Sequence, residues 1–137
     1  MVVRVVSGFS WRDFDRLRKG ANLSEDQKLL NLDIYRGNQI WLKTADGNVT
    51  FYSHLRDLAP GIREGQYVAA DEMLGTVGVT GVPDRSYRNS HLHFEIQKNP
   101  HDGSDSKDPL SVMRWPYLGK GDTKTSVRTL TENAFGG

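Results

Sequence analysis

The sequence contains no cysteine, which excludes disulfide bonds and metal sites built from thiolates. It also lacks an excess of charge of either sign, since 18 basic and 17 acidic residues give a formal net charge of +1. Proteins that bind nucleic acid through phosphate contacts usually carry a clear basic excess, so we expect no nucleic-acid partner. No apolar run is long enough to cross a bilayer, so no transmembrane segment is predicted. The residues alone leave the cellular location and the oligomeric state open.

The chain is long enough for one domain with a modest core. It has 137 residues, of which 36% are hydrophobic, and its mean hydropathy is −0.58. We predict a single domain over residues 1–118, followed by a polar tail over residues 119–137. Glycines are dense between residues 61 and 81, which favours short strands joined by tight turns.

Two short helices are predicted after an N-terminal strand. The β-branched run Val2–Val6 indicates the strand. Ser10 precedes an acidic first turn and is typical of a helix N-cap, and Ser24 with Gln27 forms a capping-box pattern for a second helix. We interpret these helices, at about residues 10–30, as an insertion between strands that carries no chemistry of its own.

A hairpin is predicted where Asp46-Gly47 interrupts two apolar runs. This dipeptide favours a two-residue turn, which would pair Trp41 with Tyr52 across the hairpin. By regular alternation Tyr52 and His54 would then share one face of their strand. An aromatic ring beside an imidazole is either a functional pair or part of a half-buried sheet edge, and the sequence leaves both open.

The segment from His91 to Ile96 is the clearest candidate for chemistry. In a strand His91 and His93 would leave the backbone on one face, with Phe94 buried behind them. Imidazoles bind zinc and transfer protons near neutral pH. Glu95 shares the histidines' face by alternation, where it would either orient a ligand or be an ordinary surface carboxylate.

Three motifs together resemble one protein family. They are Tyr52-Ser53-His54-Leu55, Gly78-Val79-Thr80-Gly81 and His91-Leu92-His93-Phe94-Glu95, in this order. The combination resembles the lysostaphin-type (LytM-like) zinc metalloendopeptidases, bacterial enzymes most of which cut peptide cross-links in peptidoglycan. The likeness covers roughly residues 1–110 and is close from residue 40 to residue 96.

The resemblance carries specific expectations. It implies a mainly β fold, a small antiparallel sheet with a groove, and a location in the cell envelope, the periplasm or outside the cell. It implies zinc as cofactor and a peptidoglycan peptide as partner. By position, His93 matches the zinc-binding histidine, and His54 and His91 match the two catalytic histidines beside the metal-bound water. Tyr52 would line the substrate groove.

The chain departs from the family's pattern at the metal. The other two zinc ligands come from a His-x-x-x-Asp motif, and no such motif lies upstream of His54. Catalytic zinc normally needs three protein ligands. His101 and Asp105 have the missing spacing, which leaves a substitute ligand pair open.

We therefore favour a metalloendopeptidase-type domain that is inactive or incomplete as given, truncated before its first ligand motif. A non-catalytic module of the same fold, which binds peptidoglycan or activates another hydrolase, is the alternative.

Overall fold

An antiparallel β-sheet forms the body of the protein. The computed structural model describes residues 1–97 and 126–128. Within them the sheet has six strands, in the order β1-β2-β3-β4-β6, with β5 paired to β3. The strands are β1 (Val2–Val6), β2 (Asn38–Lys43), β3 (Val49–Leu58), β4 (Met73–Val77), β5 (His93–Gln97) and β6 (Ser126–Arg128). The prediction of a mainly β, antiparallel fold is confirmed.

Strand β3 is the centre of the sheet because it pairs with three others. Strand β2 runs along one edge of β3. Along the opposite edge β5 pairs with the first half of β3, and β4 with the second half, from Leu55 to Leu58. A bridge between Gly78 and His91 joins the end of β4 to the residues before β5. The loop between β4 and β5 therefore begins and ends beside the middle of β3.

The helical insertion lies between β1 and β2, as predicted. It contains a 3₁₀-helix, Trp11–Arg16, and an α-helix, α1, at Glu25–Arg36. Ser24 caps α1 by accepting a hydrogen bond from the backbone N–H of Gln27 at 3.1 Å. Helix α1 ends six residues later than the predicted boundary near residue 30, at Arg36. A bidentate ion pair between Arg4 and Asp33, with distances of 2.5 and 2.6 Å, ties α1 to the first strand.

The hairpin between β2 and β3 differs from the prediction by one residue. Trp41 pairs with Phe51, not with Tyr52. The Thr44 N–H donates to the Asn48 carbonyl at 2.9 Å, so the turn spans the three residues between them. Gly47 closes it at a φ of +85°. Three-residue turns of this kind need a left-handed residue near the end, which glycine supplies. The predicted two-residue turn was wrong.

The core is divided between the two faces of the sheet. The larger cluster collects buried apolar side chains on one face, and the smaller cluster, Trp41, Val49 and Phe51, lies on the other. The larger cluster consists of Val2, Ile40, Leu42, Tyr52, Leu55, Leu74, Val77, Phe94 and Ile96.

Strand β6 lies inside the region that the sequence predicts as a polar tail. Val127 pairs with Gly75 of β4, so this short segment extends the sheet. In the part of the chain that the structure describes, no helix is long and apolar enough to cross a membrane.

Candidate active site

A β-bulge in β3 decides where His54 points. Ile40 pairs with Tyr52 and Asn38 pairs with Leu55, so β3 has one residue more than β2 in this interval. His54 takes up the extra residue at a φ of +62°, in the left-handed region that non-glycine residues seldom adopt. The bulge breaks the regular alternation of side chains along the strand.

The bulge separates His54 from Tyr52. Tyr52 and Leu55 both point into the larger core cluster. Tyr52 is only 2% exposed and packs edge-on against Phe94, with ring centroids 5.1 Å apart. The prediction that Tyr52 lines the substrate groove beside His54 is therefore wrong. Alternation fails here because two adjacent residues of a bulge share one face.

The structure brings the three predicted site histidines together. The ring centroids of His54 and His91 are 4.9 Å apart, and those of His54 and His93 are 5.9 Å apart. His93 stands opposite Ser53 in the β3–β5 pairing, which places its ring beside the bulge. His91 is held by its backbone N–H, which donates to the Gly78 carbonyl at 3.2 Å. We refer to these three imidazoles as the histidine cluster.

Backbone carbonyls fix the tautomers of two of these rings. His54 Nδ1 lies 2.7 Å from the Thr80 carbonyl oxygen, and His91 Nδ1 lies 2.9 Å from that of Asn89. A carbonyl only accepts, so each Nδ1 carries a proton, and Nε2 is the atom through which either ring can accept a hydrogen bond. Burial lowers the pKa of His54, and the neighbouring imidazoles add to this effect. His54 is therefore a neutral base at neutral pH.

His93 is oriented by a carboxylate. Its Nε2 lies 2.6 Å from Glu95 Oε1, which leaves Nδ1 for another partner. The hydrogen bond with His93, assisted by the charge of Arg36, lowers the pKa of Glu95. Metal-binding histidines commonly hold a carboxylate at their second nitrogen in this way. Of the two roles predicted for Glu95, the geometry favours orientation of a ligand.

Arg36 was not predicted from the sequence. It is the last residue of α1, and its Nη2 lies 3.7 Å from Glu95 Oε2. Its guanidinium stacks on the Phe51 ring at 4.8 Å from the centroid. Nothing in the local sequence distinguishes Arg36 from an ordinary basic residue at a helix C-terminus. Its role depends on how α1 packs against the sheet.

The described residues do not fit a catalytic zinc ion. Such an ion normally takes three protein ligands. Within residues 1–97 no group of three histidine, aspartate or glutamate side chains is arranged to hold a metal. Among the described histidines, His93 is the one that has a carboxylate partner. His101 and Asp105 lie outside the described residues.

The comparisons with known proteins identify the family. Residues 25–108, more than half of the chain, match the model of peptidase family M23. The chain belongs to this family. The predicted membership in the lysostaphin-type peptidases is thereby confirmed. Family M23 consists of metallopeptidases, generally zinc-dependent, that act on peptides such as those of peptidoglycan.

Two named proteins resemble this M23 domain. The cell division protein DipM of Caulobacter vibrioides is 38% identical over 79 residues, which are 56% of this chain and 12% of DipM. The antimicrobial peptidase lysostaphin of Staphylococcus simulans aligns with a TM-score of 0.47 and 26% identity over 80% of this chain and 34% of lysostaphin. The chain thus spans only a part of either protein.

Proposed function

We propose that this chain is a zinc metalloendopeptidase-type domain for the peptides of bacterial peptidoglycan, and that by itself it binds the peptide without cleaving it. The observation that carries the proposal is the histidine cluster. It supplies two imidazoles, those of His54 and His91, whose Nδ1 atoms are held by backbone carbonyls, and a third, that of His93, held by a carboxylate. The same neighbourhood lacks, among residues 1–97, the further ligands that a catalytic metal needs.

The chemistry available to this cluster is hydrogen bonding and proton transfer. His54 and His91 are close enough for one bound peptide group to contact both rings. Because their Nδ1 protons are held by the Thr80 and Asn89 carbonyls, the two Nε2 atoms accept hydrogen bonds from the peptide N–H or from a water. In a complete site a base of this kind takes the proton of the attacking water. With the described residues alone, the imidazole instead accepts a hydrogen bond from the peptide N–H.

Zinc content, binding and hydrolysis test the proposal together. The purified chain is expected to hold no stoichiometric zinc, to co-sediment with purified peptidoglycan and to release no soluble fragments. His54→Ala and His91→Ala remove acceptors from the cluster, and each is expected to weaken binding severalfold. Lys28→Ala, a change at an exposed residue of α1, is the matched control and should bind like the parent chain.

Two outcomes contradict the proposal. If the parent chain does not co-sediment with peptidoglycan, the proposed peptidoglycan ligand is refuted. Stoichiometric zinc with release of peptidoglycan fragments would show a complete enzyme. In that case the double variant His101→Ala, Asp105→Ala would reveal whether these residues supply the missing ligands.

The absence of a metal-holding group among the described residues also favours a second candidate, a module that activates another hydrolase. Addition of the chain to a separate peptidoglycan amidase tests this candidate. A rise in amidase activity that the His54→Ala variant does not produce would support the activating module over the incomplete peptidase.

A further inference from the structure

A cleft beside the histidine cluster is lined by residues other than the three histidines. It has a volume of about 350 Å³ and lies between the segment that follows β1 and the loop that joins β4 to β5. Phe9 and Trp11 form one wall, and Arg85, Tyr87 and Arg88 form the other. We refer to it as the Trp11 cleft. Its first wall belongs to the helical insertion.

The Trp11 cleft and the histidine cluster share structural elements. Thr80 lines the cleft, and its carbonyl holds His54 at 2.7 Å. Tyr87 also lines the cleft, and its ring lies edge-on to His91 with centroids 5.8 Å apart. The cleft therefore adjoins the histidine cluster, at a distance that one bound peptide can span.

Arg85 provides a cation whose donors are available. Its guanidinium stacks on the Trp11 ring at 4.2 Å from the centroid, and its side chain meets no hydrogen-bond acceptor among the residues that the structure describes. A guanidinium stacked on an aromatic face keeps its edge N–H groups free for a planar anion. Trp11 itself remains 37% exposed, so the stacked pair is accessible.

The remaining charges leave the cleft net positive. Arg88 Nη1 donates to the Arg85 carbonyl at 2.6 Å, which holds the second guanidinium in the same loop. Asp84 is the acidic lining residue, and its Oδ1 accepts from the Ser86 backbone N–H at 2.9 Å and from the Ser86 hydroxyl at 2.7 Å. These contacts lower the pKa of Asp84, so one anion faces two cations.

We propose that the Trp11 cleft binds a carboxylate of the peptide whose backbone lies at the histidine cluster, with Arg85 as the main determinant. The inference rests on the proposed function, because it presumes that a peptide occupies the cluster. Arginine recognises carboxylates through paired N–H donors, and a charge-assisted hydrogen bond is stronger than a neutral one. The carboxylate comes either from the C-terminus of the peptide or from an acidic residue within it.

A binding titration with chemically matched peptides tests this assignment. The probe is a fluorescent peptidoglycan stem peptide in four forms: with all carboxylates free, amidated at the C-terminus, amidated at the internal glutamate, and amidated at both. The fully amidated form is expected to bind about tenfold more weakly, as for the loss of one charge-assisted hydrogen bond. The singly amidated forms then identify which carboxylate enters the cleft.

Variants of the protein provide the second half of the test. Arg85→Gln is expected to weaken binding of the free-carboxylate peptide about tenfold and to leave the fully amidated peptide unaffected. Arg12→Gln is the matched control, since it removes an arginine beside Trp11 that does not line the cleft, and it should bind like the parent chain. Thermal unfolding of each variant checks that the fold is kept.

The outcomes separate this inference from the proposed function. Equal affinity for all four peptides, with no effect of Arg85→Gln, would overturn the carboxylate assignment even while the chain still co-sediments with peptidoglycan. Equal weakening by Arg85→Gln and Arg12→Gln would also overturn it, since general charge attraction would then explain the effect. Absence of binding to peptidoglycan and to every peptide would overturn both.

Discussion

Replacement of Gly81 by alanine should loosen the contact between α1 and the loop that holds His54. Gly81 has a φ of +83°, and a Cβ built on it would lie 2.5 Å from the Tyr35 carbonyl oxygen, 2.6 Å from the Gly37 nitrogen and 2.8 Å from the Ile34 carbonyl oxygen. All three are backbone atoms, so no side-chain rotation relieves the clash. Either the end of α1 or the loop has to move.

The size of the effect follows from a comparison with Gly65. Gly65 also has a φ of +83°, yet a Cβ there would meet nothing within 4 Å. Left-handed backbone costs an alanine about 1–2 kcal/mol, a penalty that both substitutions share. Overpacking adds about 1–3 kcal/mol at Gly81 alone. We therefore expect Gly81→Ala to lower the free energy of unfolding by about 2–5 kcal/mol and Gly65→Ala by about 1–2 kcal/mol.

Urea unfolding with matched m-values measures the two free energies. Gly81→Ala should also weaken peptidoglycan binding, because Gly81 follows Thr80, whose carbonyl orients His54. Gly65→Ala should leave binding unchanged. Equal destabilisation by both substitutions would refute the reasoning, since it would mean that backbone conformation alone, and not contact with α1, makes Gly81 necessary.

Three further predictions concern the same structure. Arg36→Gln should destabilise the protein by about 2 kcal/mol, because the half-buried carboxylate of Glu95 then loses the guanidinium beside it. In the same denaturation assay, Lys28→Gln should cost less than about 0.5 kcal/mol, because it removes only an exposed ion pair. Phe94→Ala should cost about 3–5 kcal/mol by opening a cavity in the larger core cluster, and a loss below about 1 kcal/mol would contradict that packing. Burial holds the pKa of His54 below its ordinary value of 6.5. The neutral ring therefore contributes fully to stability above pH 6.5, and this contribution is lost as the pH falls below 6.5, because the unfolded chain takes up the proton first. In a His54→Gln variant the unfolding free energy should decline less between about pH 7 and pH 5.

Much of the fold, and the close approach of the three histidines, could be predicted from the sequence. The alternation of His93 and Glu95 is a property of one regular strand, which the structure shows as β5, and His91 lies just before it in a bridge to Gly78. The cap at Ser24 is likewise local, since its hydroxyl accepts a hydrogen bond from an N–H three residues later and so stabilises the helix N-terminus. Such features depend on residues that are neighbours in sequence.

The parts that could not be predicted depend on contacts between distant residues. The separation of His54 from Tyr52 follows from the extra residue in β3, and the signal for that residue lies in the pairing of β2 with β3. Arg36 reaches Glu95 across 59 positions of sequence, and Arg85 reaches Trp11 across 74. Charge and residue type give no indication of such partners, because basic residues on loops and helix ends usually point to water.

The bulge at His54 also has a consequence for transplanting this site. Two core anchors, Tyr52 and Leu55, are separated by two residues that face the opposite way, so the polar group and its support are built into one short segment. A histidine grafted onto a regular strand at the same spacing would turn into the hydrophobic interior of its host. A successful graft would have to copy the inserted residue and the carbonyl of Thr80 together with the imidazole.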